Sequence, residues 1–373
     1  MKTLKIGLIG TGFMGKAHAI AYHSAPAVFP LSANLQCELL AEVNPELAET
    51  KARELGFRRS TGDWKALVRD PDVDVVDICS PNFLHKEMAL AAIAAGKHVY
   101  SEKPLALNAA DALEMTEAAE RAGVKTLVGF NYAKNPAAQL AREIIAAGEI
   151  GEVVHFRGTH NEDYLADPEA PFNWRLKREF SGSGTLGDMG SHIINLAQYL
   201  VGEITEVSGD LQTVIKQRPV AGEPGRYDTV ENEDQAHCLV RFAGGAIGTL
   251  ESSRIAWGRK MGLTFEITGT RGSIVFDQER LSELKLYTGN DPANRSGFRT
   301  LLLGPEHPDY GYFCVGPGHG VGYNDQKTIE VRDLVEGLAA DRPLWPDFRA
   351  AYEVNRVIDA IELSHAEGRW VRP

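Results

Sequence analysis

The 373-residue chain has no apolar run of 18 residues, no block of lysine and arginine, and no paired cysteines. The first absence removes any candidate transmembrane helix, so no membrane association is expected. The amino terminus runs straight into the apolar stretch 6–9 and has neither a long hydrophobic region nor a small-residue cleavage site, so no signal peptide is expected. Cys37, Cys79, Cys238 and Cys314 stand singly, with no CxxC pair and no disulfide framework, which fits a reducing cytoplasm. The 11 histidines show no HExxH or zinc-ligand spacing, and no metal is expected. With 39 basic against 51 acidic residues the formal charge is -12, and a basic face for nucleic acid is missing.

What is present is ordinary for a folded protein: 43% hydrophobic and 24% charged residues, in a chain too long for one typical core. The texture changes near residue 130. Before it, short apolar strands (Leu4–Gly10, Cys37–Val43, Val73–Cys79, His98–Tyr100, Leu127–Phe130) alternate with alanine-rich helical stretches such as Glu46–Leu55 and Lys86–Ala95. That is the pattern of a parallel sheet covered by helices. After it, alternating strands follow one another (Val153–Gly158, Val207–Val214, Asp234–Phe242, Ala246–Ser253, Leu263–Thr268, Ser273–Phe276), with Gly244-Gly245 as a hairpin turn. The expected architecture is α/β: a first domain over residues 1–130, then a second over 131–373 with a large, mostly antiparallel open sheet. Helices are expected at Gly190–Leu200, Gln326–Leu338 and Phe348–His365, the last packing back on the first domain.

Gly10-Thr11-Gly12-Phe13-Met14-Gly15 spells GxGxxG between a strand and a helix. Gly10 permits the tight turn, Gly12 lets backbone approach a pyrophosphate, and Gly15 lets helix and strand pack closely. The helix start supplies N–H donors and a favourable dipole. The first domain therefore reads as a Rossmann dinucleotide-binding domain. Where the second strand ends, a ribose-selecting Asp is expected, and Asn44 stands there. Its amide can bond a ribose hydroxyl, and it can also cap the helix that starts at Pro45. Residues 42–50 hold no Lys or Arg, and the Glu42 carboxylate, on the same side of the strand as Asn44, would repel a 2′-phosphate, so NAD is expected over NADP.

Lys103, in Glu102-Lys103-Pro104, follows a strand at the carboxyl edge of the parallel sheet, where ligands bind. Farther on, Gly182-Ser183-Gly184-Thr185-Leu186-Gly187-Asp188-Met189-Gly190-Ser191-His192 places Asp188 four residues before His192, on one face of a helix. A carboxylate beside an imidazole orients it for proton transfer. His192 also suits a buried histidine of an apolar helix, and Asp188 a helix cap. Ser80, Pro81, Asn82 and His85 form a loop that would approach the cofactor, and they serve equally as a helix start. Tyr132, Asp163, Trp174, Arg175 and Tyr323 are candidate ligand contacts, since aromatic faces pack on rings and charged groups bind hydroxyls.

Together these motifs make the chain similar to the glucose–fructose oxidoreductase/inositol dehydrogenase (Gfo/Idh/MocA) family over nearly its whole length. The resemblance rests on GTGFMG, on Ser80 to His85, on Glu102-Lys103-Pro104 and on the run ending in His192. It implies that Lys103, Asp188 and His192 meet at the nicotinamide of a bound NAD. It also implies a homotetramer built on open sheets. Phe130-Asn131-Tyr132, Asp167-Pro168 through Trp174-Arg175, and Gly304 to Pro308 are similar to the branch that acts on anhydrosugars and inositols. The departures are Asn44 for the usual Asp, and Ala133 where many members carry Arg. The expected cofactor contacts are Gly10, Gly12, Phe13, Met14, Gly15, Asn44, Ser80, Pro81, Asn82, His85, Glu102 and Lys103. The expected activity is oxidation of a secondary hydroxyl on a sugar, anhydrosugar or cyclic polyol. An NAD-dependent glycosidase and a non-catalytic NAD- or sugar-binding regulator are the alternatives.

Overall fold

Alternation of apolar strands with amphipathic helices in the first third of the chain produces a six-stranded, wholly parallel sheet. The computed structural model describes residues 2–373, and their contacts divide into two units: Met1–Lys134 with Gly322–Glu353, and Asn135–Val321 with Val354–Pro373. The expected break at 130/131 thus lies a few residues early, and the segment grouped with the first unit is centred on the helix Tyr323–Ala339.

The first unit runs β1 (Thr3–Ile9), α1 (Phe13–Val28), β2 (Asn34–Ala41), α2 (Pro45–Leu55), β3 (Arg59–Thr61), α3 (Trp64–Arg69), β4 (Val75–Ile78), α4 (His85–Ala94), β5 (His98–Ser101), α5 (Ala109–Ala122) and β6 (Thr126–Val128). The strand order is β3-β2-β1-β4-β5-β6. Leu4, Ile6 and Leu8 of β1 and all four residues of β4 are buried, as a parallel sheet covered on both faces requires. The order reverses between β1 and β4, so the crevice at their carboxyl ends is where a doubly wound sheet binds its ligand.

The second unit adds α6 (Pro136–Ala146), β7 (Val153–Asn161), the single turn α7 (Arg178–Ser181), α8 (Ser191–Leu200), β8 (Ile204–Gln212), the small hairpin β9 (Gln217–Pro219) and β10 (Tyr227–Thr229), then β11 (Gln235–Phe242), β12 (Ile247–Ser253), β13 (Gly262–Gly269), β14 (Gly272–Asp277), β15 (Glu283–Thr288), β16 (Arg299–Leu302) and the turn α9 (Tyr310–Phe313). The helices α10 (Tyr323–Ala339) and α11 (Phe348–Glu367) complete the chain. Eight strands pair in the order β16-β15-β14-β13-β7-β12-β11-β8, antiparallel except for β7 beside β12. Along β11 the side chains alternate buried and exposed: Ala236, Cys238, Val240 and Phe242 face the core, and His237, Leu239 and Arg241 face away. One sheet face thus packs under helices α6 and α8 while the other stays open. β9, β10, β15 and β16, short or flanked by polar residues, had no counterpart in the sequence reading.

Candidate active site

The glycine turn of the first unit has the shape its sequence implies. Gly10 has φ +89°, and a Cβ on Gly15 would stand 2.1 Å from the Gly10 carbonyl oxygen, so neither position admits a side chain. A Cβ on Gly12 would meet nothing within 4 Å, which leaves space over the turn. No side chain caps α1, so its first N–H groups face that space. The Glu42 carboxylate, just past β2, reaches back to the turn and accepts from the Thr11 amide at 2.8 Å and from its hydroxyl. A carboxylate at this place in a Rossmann domain has the chemistry to accept from a ribose hydroxyl. Asn44 instead accepts from the Leu47 amide at 2.8 Å and caps α2, so its carbonyl oxygen is committed to the helix.

Aromatic residues lie beside the turn. Phe13 is 74% exposed and stacks on Tyr323 with 5.6 Å between centroids. The Tyr323 hydroxyl contacts Met14 Sδ at 3.1 Å, and Tyr132 lies 6.4 Å from Tyr323. Tyr323 opens α10, which begins three residues before the expected Gln326. Tyr132 and Tyr323 therefore sit with Phe13 and Met14 above the phosphate-binding turn.

Lys103 follows β5 by two residues, and its amide donates to the Glu102 carboxylate at 3.2 Å. The Glu102 side chain is buried, 2.7 Å from Lys327 Nζ and 2.9 Å from His18 Nε2. Burial alone would raise its carboxyl, but Lys327 and His18 hold it well below the usual carboxylate range. His18 is itself fully buried, which opposes its charge, yet Asp77 at 2.9 Å holds it protonated well above the ordinary imidazole value. Tyr22 donates to Asp77 at 2.8 Å, Tyr100 to Glu330 at 2.6 Å, and Lys327 reaches Glu330 at 2.9 Å. His18, Asp77 and Cys79 have ligand atoms close enough for a metal, but both ring nitrogens of His18 are engaged by carboxylates. His85 is likewise a brace. Its ring is wholly buried and joins the Ser80 and Pro104 carbonyl oxygens, 2.9 Å from each, so it ties the loop after β4 to the turn after β5. Ser80, Pro81 and Asn82 remain at the carboxyl end of β4, where the crevice opens.

In the second unit, residues Leu186–Gly190 form a π-helical turn that runs directly into α8. Such turns recur at functional positions. Asp188 lies in the π turn and His192 one turn on, buried at 4% exposure. The Tyr164 hydroxyl donates to Asp188 Oδ2 at 3.0 Å. The His192 ring lies 5.7 Å from that of His160, which is fixed between the Met189 carbonyl and Glu162. Asp163 Oδ2 accepts from Lys260 Nζ at 2.6 Å and from the Gly258 amide at 3.0 Å. The Arg175 guanidinium stacks 4.5 Å over Trp174, and Asn173 caps the short turn that carries both.

Two family models match the chain: the NAD-binding Rossmann fold of the GFO/IDH/MocA oxidoreductase family over residues 4–130, and the GFO/IDH/MocA C-terminal domain over residues 138–275. Levoglucosan dehydrogenase of Pseudarthrobacter phenanthrenivorans is 43% identical, across 100% of this chain and 98% of that protein. The chain belongs to the Gfo/Idh/MocA family. Among solved structures, a levoglucosan dehydrogenase in complex with NADH and levoglucosan has a TM-score of 0.97 at 43% identity, covering 100% of this chain and 99% of that one. An NAD binding oxidoreductase from Klebsiella pneumoniae is 50% identical with a TM-score of 0.95, covering 99% and 98%. As a Gfo/Idh/MocA member the chain is an NAD-binding oxidoreductase, and its glycine turn and Glu42 fit that cofactor.

Several residues of this family member escaped the sequence reading: Tyr164 on Asp188, Lys327 and His18 on Glu102, and Glu233 behind the π turn. A signal existed for Glu233. The polar run Glu231-Asn232-Glu233-Asp234 leads straight into the buried strand β11, where Asn232, Glu233 and Asp234 are all buried.

Proposed function

We propose that the protein oxidises a secondary hydroxyl of a ring-shaped polyhydroxylated substrate with NAD, and that an anhydrosugar such as levoglucosan is that substrate. The observation that carries this reading is retention of Lys103, Asp188 and His192 in a chain similar along its whole length to levoglucosan dehydrogenase.

When bound, NAD supplies the hydride acceptor. Gly10, Gly12, Phe13, Met14 and Gly15 hold its pyrophosphate, Glu42 its ribose, and Ser80, Pro81 and Asn82 line the crevice beside it. His192 as the neutral imidazole takes the hydroxyl proton, and Asp188 keeps that imidazole oriented. Lys103 donates a hydrogen bond to the oxygen on which negative charge develops. Trp174, Arg175, Tyr132 and Tyr323 bind the ring and its other hydroxyls.

Self-association is part of the same reading. The open face of the large sheet carries Leu239 and Ile247, 51% and 57% exposed, among charged residues, and a homotetramer would cover them. Among the described residues no helix is long and apolar enough to cross a membrane, and all four cysteines are free; a cytoplasmic enzyme suits both.

The test is an assay of the purified protein with levoglucosan, myo-inositol and D-glucose, each with NAD and with NADP at mildly alkaline pH. NADH formation with levoglucosan supports the proposal. Release of an aglycone from an aryl glycoside without net NADH would move the assignment to a glycosidase, and binding of NADH and sugar without turnover would move it to a regulator.

A further inference from the structure

The segment that carries Asp188 and His192 begins without a cap of its own. The residues ahead of it are Gly182, Ser183 and Gly184, and no side chain caps the π turn locally. An uncapped helical start leaves several N–H groups unsatisfied, which a buried segment cannot tolerate. Here one residue 49 positions along the chain supplies all three acceptors. Glu233 Oε1 accepts from the Gly184 amide at 2.8 Å and from the Leu186 amide at 2.9 Å, and the Glu233 carbonyl oxygen accepts from the Thr185 amide at 3.0 Å.

We propose that Glu233 is the positioning residue of the catalytic segment: by receiving the N–H groups of residues 184, 185 and 186 it sets where the π turn starts, and so where Asp188 and His192 point. This rests on the assignment of those two residues to catalysis.

Three further observations support the role. Glu233 is 3% exposed, and its Oε2 has no hydrogen-bond partner among the described residues, so half of a buried carboxyl is left unsatisfied to keep the other half at the turn. Contact is close enough to exclude any side chain at Gly184, where a Cβ would stand 2.1 Å from the Glu233 carbonyl oxygen. The neighbours of Glu233 are also fixed. Asn232 Nδ2 donates to the Arg175 carbonyl at 2.7 Å and to Ser181 Oγ at 2.8 Å. Asp234 accepts from the Val214 and Ile215 amides at 2.8 Å each and from Arg254 Nε at 2.9 Å. The cap is thus anchored on both sides. A negative or strongly polar oxygen at a helix start also complements the helix dipole.

The experiment compares Glu233→Leu, Glu233→Gln, Gly184→Ala and His192→Ala in the full-length protein. It reads kcat and KM with the best substrate of the panel above, and NADH binding by fluorescence titration. Leu removes the side-chain acceptor, and displacing reacting groups by an ångström costs about 10²-fold, so kcat of Glu233→Leu is expected to fall by about 10- to 100-fold. NADH affinity should stay within about twofold, because the dinucleotide turn belongs to the other unit. Gly184→Ala, which disturbs the same contact from the opposite side, should fall similarly. Glu233→Gln keeps one acceptor oxygen at the turn and should restore kcat to within about threefold of the parent. If Glu233→Leu is too unstable to purify, Gly184→Ala and Glu233→Gln decide the matter. Parental kcat in Glu233→Leu or Gly184→Ala, with kcat lost in His192→Ala, overturns the positioning role and leaves the active-site assignment standing. Parental kcat in all of them, His192→Ala included, overturns both. Loss of NADH binding together with kcat in the Glu233 variants overturns the positioning role in favour of a general structural one.

Discussion

The Lys327 ammonium stands 2.7 Å from the Glu102 carboxylate, with 0% and 5% of the two side chains exposed. The pair lies one residue from Lys103, beneath the turn that presents it. Gly129 packs against it so closely that a Cβ there would stand 2.3 Å from Glu102 Oε1. Removing one member of a buried ion pair strands the other, at a cost of about 3–5 kcal/mol. Lys327→Met is therefore expected to lower the free energy of unfolding by about that amount. Urea denaturation followed by tryptophan fluorescence measures it, and a variant as stable as the parent contradicts the reading.

The same network gives stability a pH dependence with two limbs. The folded-state value of Glu102 is depressed, so its contribution is present above the unfolded value of about 4.3 and is lost as pH falls toward the folded value. The folded-state value of His18 is raised, so its contribution is complete below about 6.5 and is lost as pH rises through the folded value. Maximum stability from this network is expected between those limits. Urea midpoints from pH 3 to 9 should decline on both sides, and His18→Gln should flatten the alkaline limb; an unchanged alkaline limb in that variant removes His18 as its cause.

The choice of dinucleotide is expected to rest on Glu42. Its carboxylate, bound to Thr11 at the phosphate turn, would repel a 2′-phosphate and accept from a ribose hydroxyl. Glu42→Ala is expected to lower kcat/KM with NAD by about 10- to 100-fold and to raise it with NADP, since each lost charge-assisted hydrogen bond is worth about 1.5–3 kcal/mol. Asn44→Ala should leave the NAD:NADP ratio unchanged and cost about 1 kcal/mol of stability through the lost cap. Steady-state kinetics with both cofactors separate the two.

The open sheet face makes a separate prediction. Leu239→Glu combined with Ile247→Glu should reduce the mass seen by light scattering at micromolar concentration from tetramer toward monomer. A monomeric parent protein contradicts the tetramer outright.

Sequence alone reached those parts whose cause is local. The strand β1 and its GxGxxG turn are legible because burial, φ and close packing act within a dozen residues of one another. Asp188 and His192 are legible because four residues is one helical turn. What escaped depends on partners far along the chain: Lys327 is 225 residues from Glu102, and Tyr164 is 24 from Asp188 with a loop between. Nothing in the polar-looking stretch around Lys327 marks it as wholly buried, because the carboxylates that admit it there come from the residue after β5 and from its own helix. Asn44 and Asp163 have structural partners that their ligand chemistry does not announce: Asn44 Oδ1 caps α2, and Asp163 Oδ2 pairs with Lys260.

Tyr164, which donates to Asp188, tests how far the acid–base group extends. Tyr164→Phe deletes one hydrogen bond to a carboxylate and is expected to lower kcat by about tenfold while leaving NADH affinity unchanged. A variant with parental kcat would confine the function to Asp188 and His192.

The central claim is that Lys103 and His192 carry the chemistry while the glycine turn and Glu42 carry the dinucleotide. The most direct measurement is kcat for Lys103→Ala and for His192→Ala beside a fluorescence titration of each with NADH. The expected result is a loss of kcat of about 10²- to 10⁴-fold in each variant, with NADH affinity close to that of the parent. Near-parental kcat in both variants would contradict the assignment.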